Sequence, residues 1–185
     1  MKKLLLLFII ATTYLNVFSQ NKTSDTLYND TTIVFHKWSL IGDIETAIGN
    51  ITMYNIGIIG GVDFAHNHLF YGGGLVVSHS YRKETSQLEA DQCGINEWKY
   101  CIAMDLRYNV LPNRKFSPLF QIRISKILDE RSSNIKSINA GICYQWPNNN
   151  HAISASIGVT NYQYEIINSI MDSKKMTSFN LGFKF

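Results

Sequence analysis

The last ten residues of the chain, Met176 to Phe185, read M-T-S-F-N-L-G-F-K-F. One alternate set is mainly bulky and apolar: Thr177, Phe179, Leu181, Phe183 and Phe185. The other set is mostly small or polar: Met176, Ser178, Asn180, Gly182 and Lys184. Because successive side chains of a strand point to opposite faces, this stretch predicts a β-strand that separates two different environments.

The composition of the whole chain agrees with such alternation. The chain has 185 residues, enough for one domain with a real interior, and 45% of them are hydrophobic. The mean hydropathy is only -0.06, as expected when spanning strands are half apolar. The net charge of +3 is too small to imply a nucleic-acid partner.

The start of the chain has the features of an export signal. Lys2 and Lys3 precede an apolar run from Leu4 to Ala11, and a cut before Gln20 is expected. We therefore predict a cleaved signal peptide at residues 1–19 and export by the Sec route, with a transmembrane anchor as the alternative. No later stretch has the roughly 18 uninterrupted apolar residues of a membrane helix, so an exported chain could be embedded in a membrane only as a barrel.

After a polar lead-in at residues 20–37, predicted to lie in the periplasm, residues 38–185 contain eight candidate strands of about ten residues each, the length that crosses a bilayer when tilted. Their predicted spans are Trp38–Ile48, Met53–Phe64, Leu69–Ser80, Glu97–Asn109, Pro118–Ile127, Lys136–Trp146, Ala152–Tyr162 and Lys175–Phe185. Tight-turn sequences after the second, fourth and sixth strands alternate with longer polar connections such as Tyr81 to Asn96. Short turns on one side and longer loops on the other are typical of outer-membrane barrels, with both termini in the periplasm.

Side-chain size predicts which face of these strands is inside. Bulky residues such as Ile56, Ile102 and Ile142 share one face, whereas glycine, serine and alanine dominate the other. The interior of an eight-stranded barrel is just wide enough for its own side chains, so the small face fits inside and the bulky face should meet lipid. Aromatic residues cluster near both ends of the strands, as in two interfacial girdles.

The predicted interior also contains charges of both signs. These residues are Asp43, Glu45, Asp63, Lys99, Asp105, Arg107, Arg123 and Lys184. Buried unpaired charges are strongly unfavourable, so we expect a connected network that closes the lumen. The expected pairs are Arg123 with Asp43 or Glu45, and Arg107 or Lys184 with Asp63. In the alternative interpretation, these residues are surface charges of a soluble sheet.

Together, these features resemble the small outer-membrane barrels of the porin family, the OmpA transmembrane-domain and OmpX-like group. The resemblance covers nearly everything after the signal peptide. It implies an all-β, eight-stranded antiparallel up-and-down transmembrane β-barrel in the outer membrane of a Gram-negative bacterium. It also implies a monomer whose partners are outer-membrane lipid and, during biogenesis, the barrel-insertion machinery. The terminal Phe185 resembles the aromatic residue that this machinery recognises.

The family also includes lipid A deacylases and palmitoyltransferases, and a deacylase needs a base and a nucleophile together on the lipid-facing side. His79, at the outer end of the third strand, is the only candidate for a deacylase base. The His-x-Ser arrangement of the deacylases is absent, and the facing strands offer Tyr54 and Trp98 instead of a serine, so an interfacial histidine is favoured. We therefore predict no catalytic residue.

Three histidines and three cysteines were considered for metal binding or disulfides. His66, His68 and His151 lie in predicted turns without a carboxylate or cysteine to complete a ligand set, so neither metal nor cofactor is expected. Cys101 and Cys143 are predicted inward on non-adjacent strands, and Cys93 lies in a loop. Buried thiols are favoured, and one bridge that includes Cys93 is the alternative.

Four functions remain open from the sequence. The first is a non-enzymatic scaffold that displays its loops, Tyr81 to Asn96, Asp129 to Asn134 and Glu165 to Lys174, for surface interaction or envelope integrity. The others are an enzyme that acts on outer-leaflet lipid, a narrow passage for small solutes, and a soluble exported barrel that binds a ligand.

Overall fold

The computed structural model describes residues 37–64, 68–81, 96–112, 114–128, 133–146, 151–166 and 170–185. They form eight strands: β1 (Lys37–Ile48), β2 (Thr52–Phe64), β3 (Leu69–Tyr81), β4 (Trp98–Asn109), β5 (Phe116–Ile127), β6 (Asn134–Gln145), β7 (Ala152–Ile166) and β8 (Ile170–Lys184). Each strand pairs antiparallel with the next, and β1 pairs with β8. The predicted all-β, eight-stranded antiparallel barrel is therefore confirmed.

The closure between β1 and β8 removes the two free edges that an open sheet would have. The pairing runs from Ile41 opposite Lys184 to Ile48 opposite Thr177. One more residue closes the seam at the chain end, where the Phe185 amide donates to the Leu40 carbonyl at 2.8 Å. The final aromatic residue is thus tied into the barrel wall.

Each strand buries one face and exposes the other. In β5, exposed and buried residues alternate without exception from Phe116 to Ile127. The exposed residues of the barrel wall are mainly bulky and apolar, with Ile58 61% exposed and Ile138 65% exposed. The buried face carries most of the polar and charged residues. This distribution is the reverse of that in a soluble protein.

Five residues on the inward face are large and apolar, whereas the sequence predicts an interior of small and charged side chains. They are Ile41, Ile59, Phe70, Val76 and Leu119. All five are buried, and the pairing of their strands is continuous. They are part of an apolar lining within the barrel. The barrel interior therefore has apolar layers as well as charges.

The hairpin of β7 and β8 is longer than predicted. The stretch Glu165 to Lys174 was expected to be a display loop, yet the strands extend to Ile166 and begin again at Ile170, so residues 167–169 are the connection. Two contacts favour the extension: the Tyr164 hydroxyl donates to Asp172 Oδ2 at 2.8 Å, and the rings of Tyr162 and Tyr164 lie 5.2 Å apart. The loop prediction was wrong here because cross-strand side-chain pairs stabilise a polar hairpin.

Other predicted segments lie outside the described residues: the signal peptide at 1–19, most of the lead-in at 20–37, and the loop interiors at 82–95 and 129–132. In the part of the chain that is described, no helix is long and apolar enough to cross a membrane.

Candidate functional site: the charged centre of the barrel

Two carboxylates and two guanidinium groups meet in the middle of the barrel. We call Asp43, Asp105, Arg107 and Arg123 the central ion cluster. Arg107 Nη2 lies 2.8 Å from Asp43 Oδ2, and Arg107 Nε lies 3.1 Å from Asp105 Oδ1. Arg123 donates from Nη1 to Asp43 Oδ1 and from Nε to Asp105 Oδ2, both at 2.9 Å. All four residues are buried, and their charges balance.

The register of the strands brings these side chains together. Asp105 and Arg107 are two residues apart on β4 and therefore share a face, and Arg123 is the cross-strand partner of Asp105 on β5. Asp43 comes from β1, on the opposite side of the eight-stranded ring. The cluster therefore joins opposite walls and fills the width of the lumen.

Glycines beside the cluster leave room for its side chains. A Cβ atom added to Gly57, opposite Asp43 on β2, would lie 3.0 Å from Asp43 Oδ1. A Cβ atom on Gly182, opposite Asp43 on β8, would lie 3.0 Å from Arg107 Nη1. The small inward residues of the sequence thus make space for the charged ones.

Glu45 lies two residues after Asp43 on β1 and occupies a polar site separate from the central ion cluster. Its carboxylate accepts hydrogen bonds from Asn55 Nδ2 at 3.2 Å, Ser137 Oγ at 2.9 Å and Thr160 Oγ1 at 2.6 Å. Among the described residues it forms no ion pair within 4.0 Å. Of the two partners expected for Arg123, the structure brings Asp43 and not Glu45 into contact.

The remaining charges lie nearer the barrel ends. At the turn side, Lys184 Nζ lies 2.6 Å from Asp63 Oδ1, and Ser39 also donates to Asp63. Lys184, and not Arg107, is therefore the partner of Asp63. Towards the loops, Lys99 donates to the Tyr162 hydroxyl and its Nζ lies 4.6 Å from the Tyr162 ring centroid.

An apolar layer that the sequence did not predict lies on the loop side of the central ion cluster, at the level of Lys99. Its buried members include Ile51, Met53, Ile127, Ile135, Tyr162 and Met176. We call these residues the apolar cap. Alternation places them inward, but only the register shows that they form one packed cluster across several strands.

On the turn side, the interior contains a cavity of about 20 Å³, lined in part by Arg107, Lys184, Phe70 and Leu119. This volume corresponds to about one water molecule.

The wall formed by β6, β7 and β8 is built from small polar residues. Its inward side chains include Ser137, Asn139, Ser154, Ser156, Thr160, Ser178 and Asn180. Within the described structure, three buried atoms of these inward side chains have no hydrogen-bond partner: Asn139 Nδ2, Ser156 Oγ and Asn180 Nδ2. These groups have unused hydrogen-bonding capacity beside the balanced charges.

His79 lies on the outer face, where its cross-strand neighbours are Tyr54 and Trp98. Its ring centroid lies 4.7 Å from that of Trp98. The facing positions on both adjacent strands are therefore aromatic and supply neither a nucleophile nor a carboxylate. This geometry does not form a triad.

The turn-side histidines contact aromatic residues. His68 Nδ1 lies 2.9 Å from the Asn109 carbonyl oxygen and its ring stacks on Tyr108, whereas His151 packs against Phe183 and Phe185. His66 is outside the described residues. No group of three possible metal ligands occurs among the residues that the structure describes.

Two of the three cysteines are described, and both are buried: Cys101 on β4 and Cys143 on β6. Cys143 is a free thiol, so the alternative of a bridge between Cys93 and Cys143 is wrong. Cys93 lies outside the described residues, so the alternative of a bridge between Cys93 and Cys101 is not tested.

The sequence matches no protein-family model and no curated protein. The structure is similar to the crystal structure of Neisserial surface protein A (NspA), with a TM-score of 0.50 and 12% identity over 80% of this chain and 95% of that chain. A major outer membrane protein from Thermus thermophilus matches with a TM-score of 0.32 and 10% identity over 80% of this chain and 100% of that chain. The likeness to NspA shows a shared fold.

Proposed function

We propose that this chain is a non-enzymatic, monomeric protein of the Gram-negative outer membrane, with a plugged lumen and loops that serve surface interaction or envelope integrity. The observation that carries the membrane assignment is the continuous apolar exterior. Exposed aliphatic residues occur on every strand, among them Ile44, Ile58, Leu75, Met104, Ile122, Ile138, Ile157 and Leu181. Soluble monomers rarely expose such a contiguous surface, whereas lipid favours it.

Both ends of the apolar band have aromatic residues. On the turn side, ring centroids are 5.0 Å apart for Phe116 and Tyr144, 5.4 Å for Tyr144 and Trp146, and 5.8 Å for Trp146 and Phe183. On the loop side, Tyr54, Tyr81, Trp98 and Tyr100 are exposed. Amphipathic rings favour the boundary between lipid and water, so these two sets suit the two membrane interfaces.

Two layers of inward side chains support the proposal of a plugged lumen. The central ion cluster joins opposite walls, and the apolar cap packs on its loop side. Hydrated ions would have to separate buried charge pairs and then pass an apolar layer. We infer that the barrel is a rigid support whose function resides in the connections between its strands, of which the one between Tyr81 and Trp98 is the longest in sequence.

The proposed orientation places the short turns and both chain ends in the periplasm. It assumes removal of residues 1–19 and engagement of the insertion machinery through Phe185. The structurally similar NspA is named a surface protein, which accords with loops that face outward. The aromatic surroundings of His79 support a non-enzymatic role.

Fractionation and heat-modifiable gel migration test the assignment. We expect the protein in the outer-membrane fraction, with different migration of boiled and unboiled samples, and a mature N-terminus at Gln20. Recovery in the soluble periplasmic fraction would instead support an exported ligand-binding barrel.

A narrow passage for small solutes is the second candidate. The polar atoms of Asn139, Ser156 and Asn180 favour it, because such groups can bind water along one wall of the lumen. Planar-bilayer conductance separates the two functions. A plugged barrel gives little conductance in the native protein, whereas a passage conducts and does so more strongly after Arg123→Ala.

A further inference from the structure

Three lysines lie together on the outer face of the barrel, at the loop-side end of the apolar band. They are Lys126 on β5, Lys136 on β6 and Lys175 on β8, and all three are exposed. Lys136 pairs with Asn161 on β7, and Asn161 pairs with Lys175, so these three residues form one cross-strand row. Lys126 is paired with Asn134, two residues from Lys136.

On one side the lysines pair with the apolar residues Ile102 and Ile124, and on the other with the uncharged amides Asn134 and Asn161. The next row along the same strands runs from Lys126 through Asn134 and Gln163 to Ser173. We call the lysines Lys126, Lys136 and Lys175, with Asn134, Asn161, Gln163 and Ser173, the basic face. Diagonal cross-strand neighbours such as Lys126 and Lys136 are roughly 7–8 Å apart, near enough for the lysines to repel one another or to bind one anion together.

The basic face gives the two ends of the same strands different chemistry. At the turn side, β5, β6 and β8 carry the aromatic residues Phe116, Tyr144 and Phe183. At the loop side these strands carry lysines, while aromatic residues there occur on β2, β3 and β4. A general preference for membrane interfaces would place aromatic rings at both ends, so the basic face needs a separate explanation.

We propose that the basic face binds the phosphorylated headgroup of an outer-leaflet lipid. The inference rests on the proposed membrane location. Lysine ammonium groups neutralise phosphate, and amide and hydroxyl groups donate further hydrogen bonds to its oxygens.

A lipid fits this surface better than a free anion because the apolar band begins directly beside the lysines. Ile124 is the cross-strand partner of Lys136, and the exposed Ile138 and Val159 lie one alternate position further into the band. A headgroup bound by the lysines would therefore place its acyl chains against these aliphatic side chains. The flexible lysine stems can follow the apolar surface while their ammonium groups stay at the interface.

Lipid binding to the full barrel tests the proposal. The protein is refolded into phosphatidylcholine vesicles with or without phosphatidic acid, and bound phosphatidic acid is counted by native mass spectrometry after gentle extraction. Near an anionic membrane surface, each lysine contributes about a fivefold increase in binding. We therefore expect Lys136→Gln with Lys175→Gln to weaken phosphatidic acid binding by about 25-fold, taking that fivefold factor for each lysine.

The matched control removes two charges at the opposite end of the barrel, by Arg114→Gln with Lys115→Gln, both in the exposed turn before β5. This variant should weaken phosphatidic acid binding less than Lys136→Gln with Lys175→Gln does, because its two charges lack the amide and hydroxyl neighbours of the basic face, and Lys136→Arg with Lys175→Arg should retain binding. Equal binding by the two glutamine variants would overturn the proposal. Displacement of phosphatidic acid by an equal concentration of inorganic phosphate would overturn the choice of a lipid.

The experiment distinguishes failure of the membrane assignment from failure of lipid binding. All variants and the native protein are expected to show heat-modifiable migration after refolding into vesicles of phosphatidylcholine alone. If none inserts into these vesicles, the membrane assignment itself is wrong. If all insert and none prefers phosphatidic acid, the barrel assignment stands and the basic face has no lipid-binding role.

Discussion

Asp43 on β1 and Arg123 on β5 meet across the width of the barrel, with 2.9 Å between Asp43 Oδ1 and Arg123 Nη1. The strands that carry them lie on opposite sides of the ring. Each residue also binds a member of the second pair, since Asp43 contacts Arg107 and Arg123 contacts Asp105. The cluster is therefore a single connected unit that links the two walls.

Arg123→Ala is expected to lower the free energy of unfolding by about 3–5 kcal/mol, because one guanidinium would remain to balance two buried carboxylates. Urea unfolding in lipid vesicles, followed by tryptophan fluorescence, measures the loss. Arg114→Ala is the control, since Arg114 is exposed and should change stability by less than about 0.5 kcal/mol. Equal losses in the two variants would contradict a stabilising role of the cluster.

A charge-balanced double variant separates charge imbalance from lost packing. Asp43→Asn with Arg123→Gln leaves Asp105 paired with Arg107 at 3.1 Å and adds no unpaired charge. We expect the double variant to be more stable than Arg123→Ala, because an uncompensated buried charge is worse than a missing pair. The opposite order would show that packing of the Arg123 side chain matters more than its charge.

Alternation was sufficient to predict the barrel and most strand limits. In β1, for example, Ser39, Asp43 and Glu45 share the buried face, and Leu40 and Ile44 are exposed, as their positions in the sequence indicate. This inference works because a closed barrel has only two environments, the interior and the exterior. Successive residues of a strand alternate between them, so the position of a residue in the strand decides which one it faces.

Pairing within the lumen could not be predicted in the same way. The alternation of the sequence places Arg107 inside the barrel, but it does not identify the partner of Arg107. The relative register of the strands brings Arg107 to Asp43, and Asp63 pairs with Lys184 instead. Register also assembles the apolar cap from residues far apart in sequence, such as Met53 and Met176. Sequence separation contains no direct information about which side chains share a level of the barrel.

Two adjacent glycines on β3, Gly73 and Gly74, differ in the space available for a side chain. A Cβ atom on Gly74 would collide with backbone atoms of Ile58 and Ile59, whereas one on Gly73 would come no closer than 3.6 Å, to the Ala103 oxygen. We expect Gly74→Ala to destabilise the barrel by about 1–3 kcal/mol through overpacking. Gly73→Ala should be neutral or stabilising by up to about 1 kcal/mol, because alanine restricts the unfolded chain. Urea unfolding of both variants checks the prediction, and equal effects would contradict it.

The tip of the β7–β8 hairpin should respond to acid. Outward residues there change from Val159 and Phe179 to polar residues, so Asp172 lies beyond the apolar band. Hydrogen bonds from Lys174 and Tyr164 lower the pKa of Asp172 to about 2 from 3.8. Because the folded pKa is depressed, the stabilisation is complete above the unfolded pKa and is lost as pH falls from about 4 through 2.

This acid effect should be small, because the side chains of Lys174 and Asp172 are 30% and 36% exposed, and such pairs contribute less than about 1 kcal/mol. Amide hydrogen exchange in the hairpin measures this loss of stability. The exchange rates are compared at about pH 5 and about pH 2.5, after correction for the intrinsic dependence of exchange on pH. Asp172→Asn should remove the dependence while the exchange of β5 stays unchanged. Persistence of the dependence in Asp172→Asn would assign it to another group.

Phe185 allows recognition during biogenesis to be separated from barrel stability. Its backbone closes the seam through Leu40, while its ring is 54% exposed and lies 4.6 Å from the Phe183 ring. Phe185→Ala keeps the backbone bond, so refolding into vesicles should be nearly normal, whereas the amount of protein in the outer membrane of cells should fall severalfold. Phe179→Ala is the control, because Phe179 is an aromatic residue of β8 with a similar exposure, 49% as against 54% for Phe185. If both variants reach the membrane equally well, or if Phe185→Ala also fails to refold into vesicles, Phe185 is not a specific insertion signal.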